Sequence, residues 1–280
     1  MSQPPERAGD AGRAQGNGWL TVATLNTRGV PFTGSHLAKR YRAIGEAFEV
    51  SDADVVAFQE VFTYWHLRLL ARRMSSFRHV AYRPLAVGPA GGLVTFSRLP
   101  VSACAYRGFG FPAKAQGVSW LARTRAWLKG VLVTELPDPG VCVVNTHPVA
   151  NRDGDWSQAN RFFPLHQGHL GVVARVAGAT TAPAVVCGDF NVDRDSVLLR
   201  GFLSETGLAD AFSGQCPATF HPEYLDLPQP AHCIDFIVTS PQVKAGITRV
   251  LFDSKQVLRG REEYLSDHIG LYARLHRVPD

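Results

Sequence analysis

The sequence predicts an α/β fold in which two sheets pack face to face and helices cover their outer faces. Short apolar runs typical of strands recur along the chain, and only a few amphipathic helical patterns lie among them. A simple doubly wound sheet would need a helix between most pairs of strands, and the helices are too few for that. The chain also lacks a repeat of roughly 20 to 50 residues and an internal linker. A single domain built as sheet on sheet is therefore expected.

Eight apolar runs account for the expected strands, because each is short and is bounded by polar or turn-forming residues. They cover residues 19–25, 55–58, 93–96, 127–136, 141–144, 184–187, 234–238 and 269–275.

Four helices are expected between these strands, each from apolar residues that recur at helical spacing. The four stripes are Leu37, Tyr41, Ile44 and Phe48; Phe62, Trp65, Leu69 and Leu70; Leu165, Val172, Val173 and Val176; and Leu198, Leu199, Phe202 and Leu203. Pro164 is expected to start the third helix and Ser196 to cap the fourth. The longest irregular and basic stretch, residues 109–125, is expected on the surface near a cleft.

Length and composition indicate one large domain. With 280 residues, 45% of them hydrophobic, the chain can bury a sizeable core, which we assign to residues 18–280. Residues 1–17 are polar and rich in Gly, Pro and Arg, so they are predicted to form a disordered tail and not a secretory signal. No apolar run reaches the roughly 18 residues of a membrane helix. We therefore expect a cytoplasmic protein without a transmembrane segment, unless an export signal has been removed.

Charge indicates the class of partner, and cysteine content indicates the chemistry that the chain lacks signals for. The formal net charge of +5 favours an anionic partner such as phosphate, nucleic acid or an acidic lipid surface. The five cysteines include no CxxC pair that would suggest zinc or redox chemistry. Cys142 and Cys187 lie in strand-like runs, where buried free thiols are expected.

Acids, amides and imidazoles stand at the carboxyl ends of the predicted strands. In residues 186–191, an apolar strand ends by presenting Asp189 and Asn191 on one side, and Gly188 permits a close approach of backbone or ligand. The other strand ends supply Asn26, Gln59, Glu60, Asn145, Thr146, His147, Asp267 and His268. One such residue alone would be a cap or a turn former, but the whole set predicts a site where the strand ends meet.

Asp235 differs from the others because it interrupts an apolar strand. A carboxylate in that position must be paired, hydrogen-bonded or bound to a metal to offset its desolvation. The alternative is a purely structural partner, such as a backbone group or an arginine.

The donor types in this set suit a hard cation. Carboxylate and amide oxygens with few sulfurs favour Mg²⁺, with Mn²⁺ or Ca²⁺ as alternatives. Glu60 is the expected anchor of the metal, and Asp189 would orient or deprotonate a water that Asn191 positions.

The two imidazoles complete a set of groups for phosphoester hydrolysis. His147 and His268 would donate to the charge that develops on phosphorus. Asp235 or Asp267 would set the tautomer of each imidazole and favour its protonated form. No Gly-x-Ser-x-Gly or P-loop pattern competes with this interpretation.

Seven short motifs follow one another in a fixed order after residue 18. They are Asn26, Gln59-Glu60-Val61, Gly91-Gly92-Leu93, Asn145-Thr146-His147, Gly188-Asp189-Phe190-Asn191, Ile234-Asp235-Phe236 and Ser266-Asp267-His268. This series resembles the endonuclease/exonuclease/phosphatase superfamily, also called DNase I-like. The resemblance implies a four-layer α/β/β/α sandwich of two mainly antiparallel sheets and a Mg²⁺-dependent phosphoesterase.

The resemblance also implies a role for each matching residue. The expected metal ligands are Asn26, Glu60, Asp189 and Asp267. The expected catalytic residues are His147 and His268 beside the scissile phosphate, Asp189 and Asn191 at the nucleophilic water, and Asp235 and Asp267 in support. The expected substrate-binding residues are Lys129 and Asn145.

Within the superfamily, the chain looks most like the neutral sphingomyelinase phosphodiesterases. His147 resembles the histidine of both the DNase I and the neutral sphingomyelinase arms, and Lys129-Gly130, which precedes a strand that runs toward it, looks most like the sphingomyelinases. This predicts hydrolysis of a lipid or small-molecule phosphodiester. Two alternatives stay open: a DNase I-like nuclease, which the positive charge favours, and a non-catalytic binding module on the same fold.

Overall fold

The computed structural model describes residues 19–30, 36–110, 117–151, 153–225, 230–258 and 260–278. The predicted tail, residues 1–17, lies outside these ranges, so its disorder and the extent of the domain stay predictions. In the described part of the chain, no helix combines the length and apolar character needed to cross a membrane.

Twelve strands of the described chain form two six-stranded sheets. The first sheet runs, from edge to edge, through β11 (Val243–Leu251), β14 (Gly270–Arg277), β1 (Trp19–Asn26), β2 (Val55–Gln59), β4 (Val94–Ser97) and β3 (His79–Ala81). The second runs through β5 (Ala103–Gly108), β6 (Gly130–Leu136), β7 (Val141–Thr146), β8 (Ala184–Asp189), β10 (Asp235–Thr239) and β9 (Ala209–Asp210). A separate ribbon pairs β12 (Gln256–Leu258) with β13 (Arg261–Glu263).

The two sheets repeat one local arrangement at their centres. The strands β1 and β2 are parallel, as are β7 and β8, and each pair has antiparallel neighbours on both sides. The carboxyl ends of the parallel strands in each sheet therefore reach the same edge. The prediction of mainly antiparallel sheets is confirmed.

Within the described residues, five α-helices accompany the sheets. They are α1 (Leu37–Glu49), α2 (Tyr64–Ala71), α3 (Trp120–Trp127), α4 (Phe163–Gly178) and α5 (Val197–Thr206). The first two cover the first sheet, and α4 and α5 cover the second, with Ser196 capping α5 through a bond from the Leu199 N–H. The predicted four-layer α/β/β/α sandwich is confirmed.

Strand β1 illustrates how the layers form. Successive side chains of a strand point to opposite faces. Leu20 and Val22 accordingly belong to the core between the sheets, whereas Ala23 and Leu25 belong to the core under α1 and α2. Burial of each large apolar side chain contributes roughly 1.5–3 kcal/mol, so both cores hold the strand in register.

A buried pair of amides joins the two sheets. The Gln59 amide donates to Asn145 Oδ1 at 2.8 Å and to Thr24 Oγ1 at 3.0 Å. The Asn145 amide donates to the carbonyls of Phe58 and Val94 at 3.0 and 3.2 Å. Because buried polar groups are costly unless paired, these bonds fix the spacing of the sheets next to the strand ends.

The stretch predicted to be irregular contains a helix. Within residues 109–125, the structure describes 109–110 and 117–125, and α3 begins at Trp120. Ser119 Oγ accepts from the Ala122 N–H at 3.3 Å and caps the helix. The strand predicted from residue 127 begins instead at Gly130. The helix was not predicted because its large apolar residues face outward, so the sequence lacks the apolar periodicity of a core-facing helix.

Other differences arise where side chains are exposed. The strands β3, β5, β9 and β11–β13 were not predicted, because edge strands such as β5 lack an apolar alternation. Trp65 is 53% exposed, and Leu67 is buried in the inner face of α2 where Trp65 was expected. Cys142 and Cys187 are buried free thiols, as predicted.

Candidate active site

A cleft of about 440 Å³ opens where the carboxyl ends of the central strands of both sheets meet. Eight of the predicted site residues line it: Asn26, Glu60, Lys129, His147, Asp189, Asn191, Asp267 and His268. Asp235 lies behind His268, to which it is hydrogen-bonded. These segments, distant in sequence, therefore meet in one cleft, as predicted.

Asp189 is the central carboxylate of the cleft. Its Oδ2 accepts from the Asn26 amide at 2.9 Å and lies 3.3 Å from His147 Nε2 and 3.7 Å from His268 Nε2. Burial alone would raise the pKa of Asp189, but His268 and then His147 hold it below its ordinary value. The carboxylate therefore stays ionised across the neutral range.

The chain turns sharply after Asp189. Asp189 Oδ1 accepts from the Asn191 N–H at 2.9 Å, and Asn191 has a φ of 51°. Strand alternation therefore does not place the two side chains as predicted, but the turn brings both into the cleft. At Gly188, a Cβ atom would lie 2.1 Å from the Thr146 carbonyl oxygen, which confirms the expected close backbone approach.

His268 and Asp235 form a buried dyad. Nδ1 of His268 donates to Asp235 Oδ2 at 2.8 Å, which confirms that the carboxylate inside the apolar strand is paired. Burial alone would lower the pKa of His268, but Asp235 and Asp189 raise it to about 10. The ring is therefore an imidazolium at neutral pH, with its second N–H available on the Asp189 side.

His147 and Lys129 form a second pair across the cleft. Lys129 Nζ lies 2.6 Å from His147 Nε2 and donates to the Pro148 carbonyl at 2.9 Å. Burial, and then the neighbouring Lys129 charge, lower the pKa of His147 to about 4. The expectation that an acid keeps both imidazoles protonated thus holds for His268 and is wrong for His147. At His147 the positive charge belongs to Lys129, whose own pKa burial lowers to about 8.

Oxygen donors occupy the other side of the cleft. Burial, and then the nearby Asp267 carboxylate, raise the pKa of Glu60, so two like charges face each other there. Asn26 adds an amide oxygen, which accepts from the Arg28 N–H at 3.1 Å. Glu60 has a φ of 65°, a strained conformation of the kind found at functional sites. An oxygen-rich set with excess negative charge fits a hard cation such as Mg²⁺.

A different trio also has the spacing of a metal site. Donor atoms of Asp189, Asp235 and His268 all lie within 4.8 Å of one another. The Asp235–His268 hydrogen bond accounts for this proximity, because an imidazolium between two carboxylates needs no ion. The chemistry of the donors therefore favours Glu60, Asp267 and Asn26 as the cation side.

Asn145 is not at the cleft. Its side chain is fully buried in the inter-sheet amide pair described above, with its carbonyl oxygen and its amide group both engaged. The prediction that it binds substrate is corrected on this ground. Asn145 can affect the site by fixing the position of β7.

Several residues that line the cleft were not predicted from the sequence, among them Arg28, Trp156, Phe220 and Tyr224. Arg28 Nε lies 3.6 Å from Asp267 Oδ2, and its guanidinium stacks 4.1 Å above the Tyr224 ring. Trp156 Nε1 donates to the Asn191 carbonyl at 2.9 Å, and Phe220 packs edge-on against His268. Arg28 follows Asn26 by two residues, so its place just after the first strand could have indicated it. The three aromatic residues lie outside the predicted strands and helices, and no comparable signal marks them.

The chain matches a model of a known protein family and has a curated sequence relative. A model described as Endonuclease/Exonuclease/phosphatase family matches residues 23–268. Sphingomyelin phosphodiesterase 2 of Homo sapiens is 24% identical over 201 residues, which cover 69% of this chain and 46% of the human protein. The chain thus matches less than half the length of that relative.

Two solved structures have a similar fold. A mutant beta toxin of Staphylococcus aureus with bound magnesium ions has a TM-score of 0.68 and 15% identity, covering 91% of this chain and 99% of its own. TDP2 of D. rerio, complexed with a single-strand DNA product, has a TM-score of 0.67 and 16% identity, covering 92% of this chain and 98% of its own.

Proposed function

The chain belongs to the endonuclease/exonuclease/phosphatase family, and from this membership we propose that it is a Mg²⁺-dependent phosphodiesterase acting on a lipid or small-molecule substrate, as sphingomyelinases do. One observation carries the proposal. The Asp235–His268 imidazolium and the Asp189 carboxylate face the oxygen donors Glu60 and Asp267 across a single cleft.

The charges of the cleft suit a phosphodiester anion. Lys129 and His268 would bind non-bridging oxygens from two sides and donate to them as negative charge develops. Asp189, held by Asn26 and by the Asn191 N–H, would accept a hydrogen bond from the attacking water and orient it.

A divalent ion has a place on the opposite side. Glu60, Asp267 and Asn26 would hold it, with Asp189 as a further oxygen donor. When bound, Mg²⁺ would neutralise phosphate charge and polarise the ester. The Glu60–Asp267 repulsion supports this assignment, because a cation between the two carboxylates would relieve it.

The lipid-type substrate is supported by the similarity to human sphingomyelin phosphodiesterase 2. A nuclease is the second candidate, because the formal net charge is +5 and one structural neighbour is complexed with single-strand DNA.

A substrate panel tests the proposal. The purified full chain with Mg²⁺ should hydrolyse bis(p-nitrophenyl) phosphate and release phosphocholine from sphingomyelin in mixed micelles, and EDTA should abolish both reactions. p-Nitrophenyl phosphate reports monoester hydrolysis, and plasmid and single-strand DNA at low salt report nuclease activity. Cleavage of DNA alone would replace the lipid assignment with the nuclease, and an unreactive panel would refute phosphodiesterase function.

Replacing Glu60 with Gln should weaken the response to metal. The amide keeps the shape of the side chain but removes one negative charge from the cation side. We expect the Mg²⁺ concentration for half-maximal activity to rise by about tenfold or more, with a smaller change in the rate at saturating Mg²⁺. Mg²⁺ titrations of activity and of heat on binding measure this. The matched control is Glu135→Gln, an exposed position on β6, and a titration of Glu60→Gln identical to wild type would contradict the assignment.

A further inference from the structure

Helix α3 presents a row of large apolar side chains to solvent. Trp120, Leu121, Trp127 and Leu128 are 68%, 63%, 54% and 58% exposed. We call these four residues the α3 surface. Single exposed apolar residues are ordinary, but two tryptophans and two leucines in nine consecutive positions form a contiguous patch of the kind that marks an interaction site.

The sequence of the helix turns its large side chains outward. Its inner face consists of small residues, Ala122 and Ala126, which pack on a cluster that includes Val149, Phe162 and Leu165. At 100° per residue, Trp120, Leu121, Trp127 and Leu128 share the opposite face. The body of the protein thus holds α3 by its alanines, and the side chains with the most apolar area face away from the core.

Basic side chains border the α3 surface. Arg123 and Arg125 flank it on its two sides, and Arg125 is exposed. The helix contains no acidic residue. An apolar face with tryptophans and flanking arginines is suited to the boundary between lipid headgroups and acyl chains. A second copy of the chain fits less well, because apposed α3 surfaces would bring arginines together.

The α3 surface is continuous with the cleft. The helix runs through Leu128 directly into Lys129, whose ammonium lies 2.6 Å from His147 Nε2. The backbone at this junction is fixed, since the Tyr106 hydroxyl donates to the Leu128 carbonyl and the Phe109 N–H donates to the Lys129 carbonyl. A membrane lying on α3 would therefore bring headgroup phosphates to the side of the cleft that carries Lys129.

We propose that the α3 surface docks the protein on a phospholipid bilayer that contains anionic lipid, with Trp120 and Trp127 inserted at the headgroup level. We specify anionic lipid because the ionisable side chains of α3 are all basic and would attract negatively charged headgroups. Docking rests on the proposed lipid phosphodiesterase function for its purpose, but binding to the bilayer is a separate property that is measured without catalysis.

Vesicle flotation tests this surface directly. The full chain is mixed, with EDTA present, with vesicles of phosphatidylcholine alone or of phosphatidylcholine with phosphatidylserine. We expect binding to the mixed vesicles, a blue shift of tryptophan emission, and weaker binding to phosphatidylcholine alone. The double variant Trp120→Ser/Trp127→Ser should lower the partition coefficient by about tenfold or more. The matched control Trp65→Ser, at an exposed tryptophan of α2, should change it less than about twofold.

The outcomes separate docking from catalysis. Hydrolysis of bis(p-nitrophenyl) phosphate should be the same in wild type and in the double variant, while hydrolysis of sphingomyelin in vesicles should fall with the loss of binding. Vesicle binding without any diester hydrolysis would refute the proposed function and leave the docking surface standing. The α3 proposal would be overturned if the wild-type protein did not bind the vesicles, or if Trp65→Ser lowered binding as much as the double variant. It would also be overturned if Trp120 and Trp127 supported a dimer or a DNA complex in place of vesicle binding.

Discussion

Replacing Asp189 with Asn should lower kcat/KM for a phosphodiester by roughly a thousandfold or more, with the chain still folded. The substitution keeps the shape of the side chain but removes the negative charge that faces His147 and His268. At residue 189 the introduced amide has one oxygen and one NH₂ group, so either the NH₂ replaces the oxygen that accepts from the Asn26 amide or the side chain rotates to keep that bond. In both cases a water held by residue 189 loses its orientation. Steady-state kinetics with bis(p-nitrophenyl) phosphate and a thermal melt by circular dichroism measure the two effects.

Asp195→Asn is the matched control for this variant. Asp195 follows on the same segment but is exposed, so its kinetics should equal those of wild type. A rate of Asp189→Asn within about threefold of wild type, in a folded sample, would remove Asp189 from the mechanism.

Replacing Asp235 with Asn should make activity strongly dependent on pH. The oxygen of the introduced amide can still accept from His268 Nδ1, so ring orientation is kept while the charge that raises the pKa of His268 is lost. Because that pKa falls from about 10 in wild type, the imidazolium is lost as pH rises and regained as pH falls. We expect kcat/KM to drop by roughly a hundredfold at about pH 8, with a smaller drop toward about pH 6.

Two measurements separate charge from orientation. Profiles of kcat/KM from about pH 5 to about pH 10 should show the alkaline limb of Asp235→Asn displaced to lower pH, and the NMR titration of His268 should move in the same direction. Asp253→Asn, at an exposed position, is the control. A loss of equal size at every pH would mean that Asp235 only orients the ring.

The central strands of both sheets were predictable from sequence because they are apolar on both faces. The run 184–187 and the run 141–144 became β8 and β7 with nearly the expected bounds. Edge strands such as β5 could not be found in this way, since most of their side chains are exposed. Helix α3 was missed for a related reason: its large residues face outward, opposite to the rule that locates core helices.

Site residues that stand at strand ends could be predicted from the sequence. Properties that depend on contacts with other segments of the chain could not. Asp189 and His268 were found because each follows or precedes an apolar run. The neutral state of His147 could not be read from the sequence, because the pKa of this ring is lowered by burial in the folded chain and then by Lys129 from another segment. Asn145 was misassigned because the same strand-end position can face either the cleft or the opposite sheet.

The position of β14 links the first sheet to the cleft. This strand is the last of the described chain, yet it lies inside the first sheet, between the edge strand β11 and the central strand β1. Asp267 and His268 immediately precede it, so removal of residues 267–277 would take away both the antiparallel neighbour of β1 and two residues that line the cleft.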